Sequence, residues 1–242
     1  MKPLRFAIAL MCIGFPAVAR PSPDLATEAK IHNIENDIAP FVLIKGQVAP
    51  RVGLADRMYE LHVPGVSVAF IHDGKIAWAR GFGVTRIGGA RVTPDTLFQA
   101  GSISKPVTAM AVLHLVESGQ LDLDVNVNQY LKAWKLPENS FTAQKPVTLR
   151  ELLSHTAGVT VHGFPGYASG KPVPTLVQVL DGEPPANTPA IRVDTTPGTI
   201  WRYSGGGYVI TQQLLLDVMG KPFPSFMHDT VLGPIGMTHS TY

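Results

Sequence analysis

Cysteine is almost missing from this 242-residue chain: Cys12 is the only one. It lies in a leader-like stretch, so a chain that sheds the leader has neither disulfide nor thiol chemistry and must draw its stability from packing. Clusters of one charge are missing too. Twenty Lys and Arg face 18 Asp and Glu, and removal of Lys2 and Arg5 with the leader would leave 18 against 18. A near-zero balance without basic clusters excludes nucleic acid or an anionic membrane surface as the main partner. No apolar run is long enough to span a bilayer comfortably: Phe6 to Phe15 falls short of the roughly 20 residues needed. The glycines Gly205 to Gly207 are followed by no Lys-Ser/Thr pair and no dinucleotide-binding spacing, which excludes a phosphate loop. His155 and His162 have no third ligand at a recognisable spacing, so neither a metal nor a cofactor is expected.

What is present is a globular composition, 45% apolar and 16% charged, able to bury a core. The short basic start, the apolar run and the small residues Ala17-Val-Ala19 match a secretory signal over residues 1–19. The expected location is therefore the bacterial periplasm or beyond, with no membrane attachment after cleavage. Residues 20–50 read as a lead-in with a short helix around Ile31 to Ile38, and residues 51–242 as one domain. Leu54 to His62 has helical spacing and stops at Val63-Pro-Gly65. The β-rich runs Val66–Ile71 and Lys75–Val84 flank Asp73-Gly74, which predicts a tight antiparallel hairpin. Downstream the pattern turns helical. Thr148-Leu-Arg-Glu151 has the form of a capping box, Tyr208 to Met219 has helical spacing before Gly220, and Phe223 to Leu232 reads as another short helix. Residues 160 to about 200 lack periodicity and read as a long functional loop.

Two clusters carry chemistry. In Phe98-Gln-Ala-Gly-Ser-Ile-Ser-Lys105 the spacing predicts a helix entered at Ser102, with Ser102 and Lys105 one turn apart on one face. A serine at a helix N-terminus feels the positive end of the dipole, and a lysine held neutral by desolvation can take its proton. The same residues also fit an N-cap serine followed by a solvated lysine. In Pro197-Gly-Thr-Ile-Trp-Arg-Tyr-Ser204, Tyr203 stands at a tight bend before three glycines. A phenol beside a cation can relay a nucleophile's proton, although an aromatic packed under a glycine turn fits equally.

These clusters, with Val63-Pro-Gly-Val-Ser-Val-Ala69, Leu152-Leu-Ser-His-Thr-Ala-Gly158 and Leu232-Gly-Pro-Ile-Gly-Met237, resemble the β-lactamase-related serine hydrolases. That group contains class C β-lactamases, D-alanyl-D-alanine carboxypeptidases and family VIII-type esterases. The resemblance implies an α/β (α+β) fold of the β-lactamase/transpeptidase type, a helical region beside an antiparallel sheet. It implies Ser102 as the acylated nucleophile, Lys105 as its partner base, Tyr203 as the proton shuttle and His155 as a fixer of its own turn. The substrate would be a small ester, peptide or β-lactam.

Two departures qualify this. Gly205 stands where the lactamase pattern has asparagine, which shifts weight from β-lactams and peptides toward esters or another acyl group. The Lys-Thr-Gly or His-x-Gly strand that donates to the oxyanion does not occur before Tyr242. The expectation is therefore an incomplete sheet with an exposed hairpin edge, and a truncated or incompletely predicted hydrolase lacking its second oxyanion donor, a loss of about 100- to 1000-fold in rate. The competing reading is an inactive relative or fragment that binds cell-wall peptide or a partner protein.

Overall fold

A computed structural model describes residues 24–242, so the expected signal at residues 1–19, with Cys12, lies outside the described residues. The chain forms two compact units that divide after Thr96. No helix among the described residues is long and apolar enough to cross a membrane.

In the first unit, α1 (Leu25–Asn36) starts at Asp24, whose carboxylate accepts from the Thr27 amide at 2.7 Å. This helix begins six residues before the stretch expected from sequence, because Asp24 supplies an N-cap ahead of a run with little apolar periodicity. Helix α2 (Leu54–Glu60) follows, then β1 (Gly65–His72) and β2 (Lys75–Gly83) pair antiparallel. Asp73 and Gly74 close the hairpin with φ of 49° and 69°, the two positive angles that a two-residue turn of this twist demands. One face of the ribbon carries Phe70 stacked on Trp78, and Arg80 reaches Glu28 of α1 at 2.5 Å. Toward the turn, Ile71 and Ile76 are exposed, and the sheet has two strands among the described residues.

The second unit is helical. Its longer helices are α3 (Ser104–Glu117) and α7 (Gly205–Met219), with the short α4 (Ser140–Gln144), α5 (Leu149–Ser154) and α6 (Leu176–Asp181) between them and α8 (Phe223–Met227) after. Ala111, Val112 and Leu115 of α3 share one core with Leu149 and Leu152 of α5, Leu180 of α6, and Ile210, Leu214 and Leu215 of α7. Each fully buried leucine or isoleucine in this set contributes about 1.5–3 kcal/mol relative to exposure, so the core holds α3, α5, α6 and α7 together.

Two expectations change here. Residues 160 to about 200 are not wholly irregular: α6 forms because Thr175 caps the Gln178 amide while the Gln178 side chain accepts from the Thr175 amide. The run Leu176-Val-Gln-Val-Leu180 is apolar on both sides of Gln178, and six residues are too few to show a helical period. The segment from Phe223 to Leu232 is α8 followed by a π-turn over His228–Leu232 rather than one helix.

Candidate active site

Ser102 sits in a 3-10 turn, Gly101–Ile103, that leads directly into α3 at Ser104. The expectation that the helix is entered at Ser102 is thus corrected by two residues: the backbone tightens to i to i+3 bonds before it settles into α spacing. The consequence for geometry is small. Lys105 still falls one turn later, and its Nζ donates to Ser102 Oγ at 3.0 Å.

Tyr203 comes from the far side of the sequence and meets the same oxygen. Its OH lies 2.8 Å from Ser102 Oγ, and Lys105 Nζ stands 5.0 Å from the centre of its ring. The three residues singled out from sequence therefore converge on one atom. The hydrogen bond with Lys105, and then that with Ser102, lowers the Tyr203 phenol below its ordinary proton affinity. Tyr208, whose ring lies 5.7 Å from the same ammonium, is pushed the other way by burial and by Tyr203.

What holds Tyr203 there is His155. Thr148 and Glu151 form the expected capping box and Lys145 pairs with Glu151 at 2.6 Å, which sets the start of α5. The helix ends at His155, left-handed with φ of 61°, and that turn aims the residue at the segment ahead of α7. Its carbonyl accepts from the Arg202 amide at 2.9 Å and its Nδ1 from the Ser204 amide at 3.2 Å. Both neighbours of Tyr203 are thus tied to one residue, and the imidazole packs on the Tyr203 ring at 4.4 Å. Accepting at Nδ1 requires an imidazole without a proton on that nitrogen. Burial first, then Lys105 and His162, lowers the proton affinity of His155 in the direction this bond needs. The sequence reading had His155 fixing its own turn. The structure gives its side chain a partner 49 residues away, which no local pattern could reveal.

Two further residues escaped the sequence reading. The ring of His162 lies 4.9 Å from that of Tyr203, so two histidines pack on the phenol. Ser204 caps α7, accepting from Gly207 N at 3.0 Å and donating to Thr160 O at 2.8 Å, while Gly205 N and Gly206 N donate to the carbonyls of His162 and Val161. A Cβ on Gly205 would stand 3.0 Å from the His162 carbonyl and 3.1 Å from the Phe164 ring. Close approach of the 160–164 segment thus favours glycine at this position.

Comparison with known proteins gives the family. The sequence model of the family described as Beta-lactamase matches residues 50–242. Penicillin-binding protein 4 of Amycolatopsis lactamdurans is 29% identical over 181 residues, 75% of this chain and 45% of its own length. The octameric penicillin-binding protein homologue of Pyrococcus abyssi superposes with a TM-score of 0.63 at 30% identity, over 76% of this chain and 42% of that one. EstCE1, a hydrolase with promiscuous acyltransferase activity, superposes with a TM-score of 0.61 at 26% identity, over 75% of this chain and 49% of that one. The chain spans less than half the length of these relatives. With a family match across most of its length and a β-lactamase/transpeptidase-like fold, the chain belongs to the Beta-lactamase family.

Proposed function

We propose that this chain carries the acylation centre of a serine hydrolase, in which Ser102 forms an acyl-enzyme that water then cleaves. The observation that carries the reading is the convergence of Lys105 Nζ and Tyr203 OH on Ser102 Oγ. Oγ attacks the substrate carbonyl, an Oγ–C bond forms, and the hydroxyl proton passes to the Tyr203–Lys105 pair. As the C–O or C–N bond breaks, the same pair returns that proton to the leaving alcohol or amine. In the second half, water yields a proton to the pair, its oxygen bonds to the acyl carbon, and the proton goes back to Oγ as the acid departs. A lowered phenol suits this work, since a proton relay is most effective when its affinity lies near the working pH, and such a group contributes about 100- to 10,000-fold.

An ester is the substrate class favoured over a β-lactam or peptide. Gly205 removes the amide that would engage a substrate's side-chain amide, and one structural relative is a hydrolase with acyltransferase activity. The leader at residues 1–19 directs the reaction to the periplasm or the exterior. The test is hydrolysis of nitrophenyl esters by the protein and by Ser102→Ala. Turnover that vanishes in the variant supports the reading. Turnover that survives it, or a folded protein that turns over no ester, lactam or D-peptide, overturns it.

A further inference from the structure

Between α1 and α2 the first unit carries a loop that is closed at its base by a two-bond bridge. Ile38 N donates to Val52 O at 3.0 Å, and Val52 N donates to Ile38 O at 3.2 Å. At the tip Gln47 N donates to Ile44 O at 3.1 Å, with Gly46 at φ of 85° in the turn position that demands a positive angle. Both ends of the loop are thus held by hydrogen bonds, and what lies between them is unusual for a protein surface. Residues 41–48 are all exposed. Five of them are large apolar side chains, from Ile44 at 58% exposure through Leu43 and Val42 to Val48 and Phe41, which stand almost wholly in water. One exposed leucine needs no explanation, but the contiguous run Phe41-Val-Leu-Ile44 marks an interaction surface.

Charge narrows the choice of partner. From Ile38 to Ala55 the chain has no Asp or Glu, and its only charged residues are Lys45 and Arg51. Arg51 is matched at the base of the loop by Asp37 at 3.6 Å. Lys45 stands at the tip, directly after the apolar run, and has no ion pair among the described residues. A protein groove is filled by one or two anchors of fitting shape. An apolar run on a protruding turn, with a cation beside it and no carboxylate around it, instead matches a bilayer surface, where acyl chains take the carbon and headgroup phosphates take the ammonium.

We propose that residues 41–48 dock this protein on a lipid bilayer, with Phe41, Val42, Leu43 and Ile44 set into the boundary between headgroups and acyl chains and the Lys45 ammonium against lipid phosphate. The expectation of no membrane attachment rested on an apolar run too short to span and on a charge balance near zero. An inserted loop needs neither, because buried apolar side chains carry most of the binding, each worth about tenfold or more in the partition constant. No step of the proposed hydrolysis depends on this surface.

The experiment uses the protein as cleavage after Ala19 leaves it, so that the apolar run Phe6 to Phe15 contributes nothing. It measures co-sedimentation with vesicles of phosphatidylcholine alone and of phosphatidylcholine mixed with phosphatidylglycerol. Binding to both is expected, about fivefold tighter on the mixed vesicles, since one cation near an anionic surface is worth that factor. Phe41→Ser combined with Leu43→Ser is expected to lower partitioning by about 100-fold with the urea midpoint unchanged, because both side chains are already in water. Lys45→Glu is expected to abolish the preference for mixed vesicles and to leave binding to phosphatidylcholine in place. A protein that sediments with neither vesicle overturns the proposal, as does sedimentation that the double serine variant retains. Binding abolished by about 0.5 M salt also overturns it, since that places the attachment in exposed charge rather than in the apolar run. A dimer that forms without lipid and is lost in the double serine variant gives the loop to a second copy of the chain and overturns the lipid reading.

Discussion

Replacing His155 by phenylalanine removes one hydrogen bond from the candidate site and little else. An aromatic ring remains to pack on Tyr203, as the imidazole does at 4.4 Å, and on Tyr208, at 5.5 Å. The backbone carbonyl still accepts from Arg202 N. The Ser204 amide, in a residue that is 3% exposed, loses its Nδ1 acceptor. Leaving a buried N–H unpaired costs about 1–3 kcal/mol, and a non-glycine aromatic held at φ of 61° adds about 1 kcal/mol over histidine. A loss of about 2–4 kcal/mol in urea unfolding is expected, a large part of the 5–15 kcal/mol typical of a domain.

The functional effect should be larger than the loss of stability suggests, because Tyr203 must sit within hydrogen-bond reach of Ser102 Oγ. A displacement of about 1 Å costs roughly 100-fold in rate, so acylation by a fluorophosphonate is expected to slow by about that factor at pH 7.5. The pH dependence separates positioning from mere packing. The folded imidazole binds its proton less tightly than an ordinary one of 6.5, so below about pH 6.5 the unfolded chain binds more protons than the folded one. This contribution to stability is complete above pH 6.5 and is lost as pH falls toward the lowered folded value. Acylation by the folded protein should fall as pH drops through that lowered value, because protonated Nδ1 cannot accept from Ser204 N. In His155→Phe both acid limbs should flatten. A variant that acylates at the wild-type rate, or that keeps the acid limb, would refute the argument that His155 positions Tyr203.

Other perturbations address the remaining parts. Lys105→Arg keeps a cation beside Ser102 but one that stays protonated at any working pH, so acylation should be abolished with the circular dichroism spectrum unchanged. Tyr203→Phe keeps the ring packed on His155 and His162 and removes only the hydroxyl at 2.8 Å, so stopped-flow acylation should slow by at least about 100-fold, and an unchanged rate would return Tyr203 to a packing role. Gly158→Ala would place a Cβ 2.2 Å from the Thr195 carbonyl at a position with φ of 65°, and a loss of about 3 kcal/mol in urea unfolding is expected.

Part of the candidate site and of the fold around it was legible in the sequence because its signals are local. Ser102 and Lys105 lie one turn apart, Thr148 and Glu151 sit at capping-box spacing, and Asp73-Gly74 marks its turn through backbone preference alone. Each depends on a few consecutive residues, and each appears in the structure with the expected partners. What escaped depends on distance along the chain. The bond between His155 and Ser204 spans 49 residues, and Phe164 lies near Gly205 where Ser204, Gly205 and Gly206 donate to the carbonyls of Thr160, His162 and Val161. Tyr208 reads as one more apolar residue on the inward stripe of α7, and nothing in that stripe says that its ring faces an ammonium. The 3-10 turn at Gly101–Ile103 escaped for another reason: i to i+3 and i to i+4 bonding share nearly the same sequence preferences. Family resemblance carried Tyr203, since its meeting with Ser102 crosses 101 residues.

The measurement that tests the central claim most directly is the site of covalent modification. The purified protein is incubated with a fluorophosphonate or a fluorescent penicillin, and the adduct is located by intact mass and peptide mapping. The account predicts one adduct per chain, on Ser102, absent from Ser102→Ala and formed more slowly in Tyr203→Phe. A folded protein that remains unmodified by both reagents, or one modified at a different residue, would contradict it.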